Sequence, residues 1–269
     1  MDIIKWHQIL HPYEEAVDEL VYKFRHIRRE YQREAIYCPI ERVFGRVKTV
    51  GSILEKMRRK DIPFEEMEEK VEDIAGIRII CQFVEDIDQI VELINRRNDM
   101  TVKQVKDYVR NQKESGYRSY HLIIYYKVQT IHGEKTVQAE IQIRTLAMDF
   151  WATIEHSLQY KYKANIPEHL CERLSSVADV TIQLEQEMSY VRSEIMDAQL
   201  SSQIQQRIVS NILNVIEKLY AIAPRTDVER IQEEFFKVYK MNDMDALRRF
   251  HKQLDVIAEG YQVQNVLPE

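Results

Sequence analysis

The sequence predicts an α/β core over roughly residues 1–165, followed by a helical C-terminal part. Three observations carry this. Short β-branched runs alternate with segments of 3–4 apolar spacing as far as Tyr162, the pattern of strands mixed with helices. From Pro167 onward no strand signal recurs. With only 6 Gly and 6 Pro, the chain has little material for long loops.

Residues 5–34 read as a helix, because Leu10, Tyr13, Val17, Leu20, Val21, Phe24 and Ile27 keep helical spacing. Pro39 ends it, and Ile40–Lys48 reads as a strand. Thr49 is placed to cap a helix over Val50–Lys60. Glu65–Lys70 is acidic, a short helix or loop. The apolar run Ile77–Phe83 predicts a buried strand, and Asp86–Arg97 returns to helical spacing. Val102–Val109, Ser119–Tyr126 and Thr136–Arg144 predict strands, with Gly133 turning into the last. Leu146–Tyr162 predicts a helix with Trp151, Ile154 and Leu158 on one side. Residues 168–199, 202–221, 227–240 and 243–258 predict four more helices, broken at Ala223-Pro224 and Asn242-Asp243.

Apolar content of 45% and charged content of 30% fit a soluble globular protein. The net charge of -6 argues against general affinity for polyanions, though not against a local basic cleft. No apolar run approaches the roughly 18 residues of a membrane span. The first residues lack the basic-then-apolar layout of a signal peptide. Cys38, Cys81 and Cys171 are odd in number and widely spaced, which predicts neither disulfides nor a zinc site. A reducing cytoplasm is the expected setting.

The chemistry concentrates in a few segments. Glu140, Gln142 and Arg144 alternate with Ile141 and Ile143, so a carboxylate, an amide and a guanidinium share one face of a strand. Such a face needs water or a ligand. About twenty residues earlier, Gly116-Tyr117-Arg118-Ser119-Tyr120-His121 sets an aromatic ring, an arginine and a histidine beside a glycine. A tyrosine there can stack on a base, or it is an ordinary strand residue in a chain with 15 tyrosines. Lys113 and His121 flank it and can reach phosphate. Upstream, Arg46 and Lys48 share one face of a strand, and Ser52, Lys56, Arg59 and Lys60 lie on one helical stripe. The two sets can converge at a strand-to-helix junction, where helix N-terminal amides also favour phosphate. Taken alone, the stripe also fits a solvated helix face, the commoner place for such charges. Asp73 precedes a buried strand and is suited to Mg²⁺ if phosphates face it, or to capping a turn. Arg78 interrupts an apolar strand and needs a partner, since an unpaired buried charge is costly. Glu140 is a candidate general base or metal ligand, with a salt bridge to Arg144 as the plain structural alternative.

Taken in order, Gly45-Arg46-x-Lys48-x3-Ser52-x3-Lys56, Asp73-Ile-Ala-Gly-Ile-Arg78, Gly116-Tyr117-Arg-Ser-x-His121 and Glu140-Ile-Gln142-Ile-Arg-Thr resemble the synthetase domain of the RelA/SpoT homologues. The opening Trp6-x3-Leu10-x-Pro12-Tyr13 and the segment Phe150-Trp151-Ala152-Thr153-Ile154-Glu155-His156 resemble its small, RelQ-type alarmone synthetases. The resemblance covers about residues 1–195. It implies a nucleotidyltransferase-like fold with a mixed β-sheet flanked by helices. It also implies transfer of pyrophosphate from ATP to the 3′-hydroxyl of GDP or GTP, giving ppGpp or pppGpp and AMP in the stringent response. Carried over residue by residue, Arg46, Lys48, Ser52, Lys56, Arg59 and Arg78 hold ATP, with Arg46 and Arg78 sandwiching adenine. Asp73 binds Mg²⁺, and Glu140 activates the 3′-hydroxyl or shares the metal, with Glu155 a further candidate for its shell. Tyr117 stacks on guanine, while Lys113, His121 and Gln142 line the acceptor nucleotide.

The resemblance further implies residues 1–165 as synthetase core, 166–200 as a helical oligomerisation segment of a homotetramer, and 201–269 as a helical extension to which it assigns no role. Ile182, Leu184, Met188 and Val191 add a further apolar stripe for such contacts. A central cleft that binds pppGpp as an activator falls here on Arg25, Arg28, Arg42 and Phe44. The arginines suit an anion, and Phe44 is bulkier than the small polar residue expected there. None of the 8 His is followed by Asp, so the hydrolase dipeptide of longer members is missing from this sequence. Two other readings fit the same residues: a related transferase acting on tRNA ends, and a regulatory module holding nucleotide or single-stranded RNA.

Overall fold

The computed structural model describes residues 3–161 and 167–266. The chain divides into two compact units, Met1–Ser189 and Tyr190–Glu269.

The first unit is built on a five-stranded mixed sheet. Its strands are β1 (Arg42–Val47), β2 (Ala75–Cys81), β3 (Met100–Asp107), β4 (Tyr120–Thr130) and β5 (Gly133–Thr145), in the order β1-β2-β5-β4-β3. β2 and β5 run parallel, and every other neighbouring pair is antiparallel. The helices are α1 (Ile3–Arg33), α2 (Val50–Lys60), α3 (Met67–Lys70, entered through a short 3₁₀ turn), α4 (Glu85–Asn95), α5 (Leu146–Lys161) and the start of α6 (Glu168–Leu219). The mixed sheet with flanking helices agrees with the fold the resemblance implied.

The apolar spacing of α1 does what the sequence suggests. Tyr13, Leu20 and Phe24 are buried with Val43 of β1 and with Ile77 and Ile79 of β2. Burying each such side chain stabilises the fold by about 1.5–3 kcal/mol. α1 lies so close to β1 that a Cβ on Gly45 would sit 2.6 Å from both Val17 and Val21. α2 starts where expected: the Thr49 hydroxyl accepts the Ser52 amide at 3.3 Å, satisfying a free N-terminal donor. β4 runs on past its expected end at Tyr126 to Thr130, where pairing with β5 extends it, while β2 lies two residues earlier than expected, starting at Ala75 and ending at Cys81 rather than Phe83.

The second unit has its own core. Ile212, Ile216 and Leu219 of α6 bury against Val228 and Phe235 of α7 (Arg225–Lys240) and Leu247, Phe250 and Leu254 of α8 (Met244–Val266). The break expected at residues 200–201 is not there, since α6 runs on through Leu200, Ser201 and Ser202. Without Pro or Gly nearby, serine's modest propensity penalty does not stop the backbone ladder. Among the described residues, no helix is long and apolar enough to cross a membrane.

Candidate active site

The register of the sheet assembles the site. Phe44 of β1 pairs with Arg78 of β2, Arg78 with Gln142 of β5, and Gln142 with His121 of β4. In the next row Arg46 pairs with Gly76, and Gly76 with Glu140. Residues paired in this way share a face, so two rows of polar side chains cross the sheet. Between Arg46 and Glu140 stands Gly76, which has no side chain to fill the gap. A cavity of about 300 Å³ opens there, lined by Phe44, Arg46, Asp73, Arg78, Glu140 and Gln142 among others.

On one side of this cavity lies Asp73. It accepts Lys48 Nζ at 2.8 Å on Oδ2 and Lys56 Nζ at 2.7 Å on Oδ1. Burial pushes its carboxyl up, but the two ammonium groups outweigh burial and hold it below the usual carboxylate range. Lys48 and Lys56 therefore converge as the spacing suggested, while Arg46, Ser52 and Arg59 remain exposed beside them. Arg78 donates from Nη1 to Asp149 Oδ1 at 3.1 Å, and its Nε is buried with no hydrogen-bond partner. Such a donor is costly to leave unmade.

The other side is a closed hydrogen-bonded ring. Glu140 Oε1 lies 3.0 Å from His121 Nδ1, and Tyr117 Oη lies 3.0 Å from His121 Nε2. Arg144 Nη2 donates to Tyr117 Oη at 2.7 Å and to Gln142 Oε1 at 3.3 Å, and Gln142 Nε2 returns to Glu140 Oε2 at 2.7 Å. One assignment of hydrogens satisfies every partner: His121 donates from Nδ1 to Glu140 and accepts the Tyr117 hydroxyl at Nε2. Burial pushes the Glu140 carboxyl up, yet the His121 and Gln142 hydrogen bonds prevail and keep it below the usual range. The salt bridge between Glu140 and Arg144 does not form. Arg144 turns instead to Asp149, whose Oδ1 accepts its Nη1 at 3.2 Å.

The Tyr117 ring sits in an aromatic and cationic nest. Tyr108 and His121 meet it edge-on, and Lys113 Nζ lies 5.0 Å from its centroid. The loop is anchored from behind. Gly116 adopts φ +85°, and a Cβ there would fall 2.5 Å from Ala178 Cβ of α6. Arg118 pairs with the buried Glu185 of α6, which also bonds Thr145. Glu155, on α5, is half-buried, and burial raises its carboxyl against the pull of His156, Arg144 and Lys113. It does not line the cavity that holds Asp73 and Glu140. Among the described residues, no three His, Cys, Asp or Glu side chains group closely enough to hold a metal by themselves.

A second cavity, of about 700 Å³, contains Arg25, Arg28, Arg42 and Phe44 in its lining. Sequence reasoning missed Asp149, Tyr108 and Glu185. Asp149 had a signal, an acidic residue in the first turn of the helix that follows the polar strand face; Glu185 had none.

The region found in RelA / SpoT proteins matches residues 45–165, which hold every residue of the ring and of the cavity except Phe44. The chain is 54% identical to the GTP pyrophosphokinase YjbM of Bacillus subtilis over 199 residues, 74% of this chain and 94% of that one. A solved structure of the small alarmone synthetase 1 from Bacillus subtilis, bound to its product pppGpp, superposes with TM-score 0.69 at 54% identity, covering 71% of this chain and 98% of the other. A GTP pyrophosphokinase family protein from Streptococcus pneumoniae gives TM-score 0.70 at 48% identity, covering 74% and 98%.

Proposed function

This chain belongs to the RelA/SpoT family, and from that premise we propose that it is a (p)ppGpp synthetase, a GTP pyrophosphokinase that moves pyrophosphate from ATP to the 3′-hydroxyl of GDP or GTP. The observation that carries this is one cavity holding two ionised carboxylates, Asp73 and Glu140, between a cationic wall and a tyrosine-bearing ring. Pyrophosphoryl transfer asks for positioning and charge neutralisation more than covalent chemistry.

The acceptor 3′-oxygen attacks the β-phosphorus of ATP. The bond from that phosphorus to the α–β bridging oxygen breaks, AMP leaves with the electron pair, and Glu140 takes the hydroxyl proton. Its lowered pKa keeps it ready to accept. Arg46 and Arg78 hold the adenine between them, and the unpartnered Arg78 Nε favours such an occupant. Lys48, Ser52, Lys56 and Arg59 take the ATP phosphates. Tyr117 carries the guanine, while Lys113, His121 and Gln142 line the acceptor. Asp73 and Glu140 fit Mg²⁺, which usually takes one or two carboxylates together with substrate phosphates, and Glu155 is the further candidate for its shell. Bound there, the ion would neutralise charge on the transferred phosphates.

The second cavity's arginines suit an anionic regulator such as pppGpp. The exposed stripe Leu184, Met188 and Val191 suits another copy of the chain, in a tetramer. Light scattering should return a tetramer's mass, and a monomer would remove that part of the reading. The tRNA-end transferase and the nucleotide- or RNA-holding module are not favoured, because the relatives at 54% and 41% identity are GTP pyrophosphokinases. Incubation with magnesium, ATP and labelled GTP or GDP, resolved by chromatography, should yield pppGpp or ppGpp and AMP. Hydrolysis alone, or no turnover, would defeat the proposal.

A further inference from the structure

Asp149 stands outside both sets of nucleotide-binding residues, yet it touches Arg78 of the donor set and Arg144, which in turn holds Tyr117 of the acceptor set. A single carboxylate oxygen, Oδ1, accepts Arg78 Nη1 at 3.1 Å and Arg144 Nη1 at 3.2 Å. Arg78 belongs to the donor cavity. Arg144 is buried, and its other nitrogen donates to Tyr117 Oη at 2.7 Å. Without Asp149 the two guanidiniums would face each other unneutralised, and the charge of Arg144 already disfavours the charged form of Arg78. The contacts therefore run unbroken from Arg78 through Asp149 and Arg144 to Tyr117. We propose that Asp149 is a positioning residue that couples the two nucleotide sites, so that filling the donor site tightens the acceptor site.

The physical basis is a shared acceptor. When a donor base settles on Arg78, its guanidinium is fixed and so is its demand on Oδ1. Arg144 then has one arrangement left, and that arrangement presents the Tyr117 ring. The acceptor nucleotide no longer has to order this chain on arrival. Coupling of this kind is reciprocal: each nucleotide must tighten the other by the same factor. The negative charge matters as well as the oxygen, since hydrogen bonds between charged partners are roughly twice as strong as neutral ones. Asp149 opens no path for the proton, which goes to Glu140.

This inference rests on the proposed assignment of donor and acceptor sites. The test is calorimetric titration of the full chain with GDP, with and without saturating α,β-methylene ATP, in magnesium buffer, and the same in reverse order. The native chain should show a coupling factor of at least about 5 in both directions, the lower end of typical allosteric coupling. Asp149→Leu should bring the factor to within about twofold of unity, because it abolishes both hydrogen bonds; a merely structural role would lower both affinities and leave their ratio intact. Asp149→Asn keeps an oxygen for both arginines, so it guards against a leucine variant that fails to fold, and its factor should fall between the other two. A native factor of unity, or a factor unchanged in both variants, overturns the proposal. A chain that makes pppGpp but shows no coupling sinks this inference alone, whereas a chain that makes none sinks the functional reading beneath it.

Discussion

The two sides of the cavity are built on opposite plans. Around Asp73 the protein gathers cations, two of them on one carboxylate, and leaves Arg46, Ser52 and Arg59 exposed. Around Tyr117 it closes a ring in which Glu140, His121, Tyr117, Arg144 and Gln142 each bond the next. The first side can attract a polyphosphate by charge and adapt to it. The second is set before anything arrives. Exposed charges act nearly independently and are screened by salt. A buried polar ring acts as a unit, and breaking one member exposes the rest to unmet demands. The same strand register makes both, since Arg46 and Glu140 stand at opposite ends of one row with Gly76 between.

The sharpest break of this comparison is Glu140→Gln. Glutamine is nearly isosteric and its one oxygen can still accept from His121; it loses only the contact with Gln142 Nε2, where its amide nitrogen cannot accept, so the fold should persist. It cannot take the proton, and turnover should fall about 10²–10⁴-fold. Near-normal turnover by a folded variant would reduce the ring to scaffold. The Tyr117 substitutions come next. Tyr117→Ala should weaken GDP or GTP by roughly 1–3 kcal/mol through lost stacking, with ATP much less affected. Tyr117→Phe keeps the ring and removes the hydroxyl that joins Arg144 to His121, which should cost about 1–2 kcal/mol of stability while retaining most of the acceptor affinity. Separate titration of each nucleotide decides the matter, and equal losses for both would place Tyr117 in the scaffold.

The ring also sets a pH response. The Glu140 carboxyl is held below its ordinary value of 4.5 because hydrogen bonds from His121 and Gln142 outweigh burial and the nearby Asp73. Its ionised form is therefore the native one, and both its activity as a base and its contribution to stability persist above that value. Both are lost as pH falls through the lowered pKa. His121→Ala removes the largest lowering contact and leaves burial in place, so the acidic limb of the rate profile should move to higher pH. A limb that stays where it was would mean that His121 does not hold Glu140.

Much of this was legible in the residues. The alternation of Glu140, Gln142 and Arg144 with isoleucines fixed a polar face, because a strand allows only two directions. Thr49 marked the start of α2 through a local hydrogen bond that needs no tertiary partner. What stayed hidden depends on distance across the fold. No spacing rule could tell that Arg144 would prefer Asp149 to Glu140. That choice follows from α5 turning back over the sheet, and from His121 and Gln142 having already taken both oxygens of Glu140. The fastening of Arg118 to Glu185 joins residues 67 apart in sequence. The continuity of α6 through Ser201 runs against the expected division into 168–199 and 202–221, because polar residues alone, without Pro or Gly, do not stop a helix.

The smallest expected effect belongs to the cationic side. Arg59 is exposed on α2, on the same stripe as Ser52 and Lys56. Its guanidinium can serve a phosphate by charge, yet it holds no other side chain in place by any hydrogen bond seen among the described residues. Arg59→Ala should weaken ATP by no more than about tenfold, or roughly 1.4 kcal/mol. The loss should shrink as salt rises from 0.05 to about 0.5 M, because screening takes over what the charge supplied. Acceptor affinity measured alone should be unchanged. Combined with Tyr117→Ala, the two losses should add within about 0.5 kcal/mol, since the residues share no partner. Marked non-additivity, or a salt-independent loss, would show that Arg59 is built into a network, and the contrast between an adaptable side and a preset one would no longer hold.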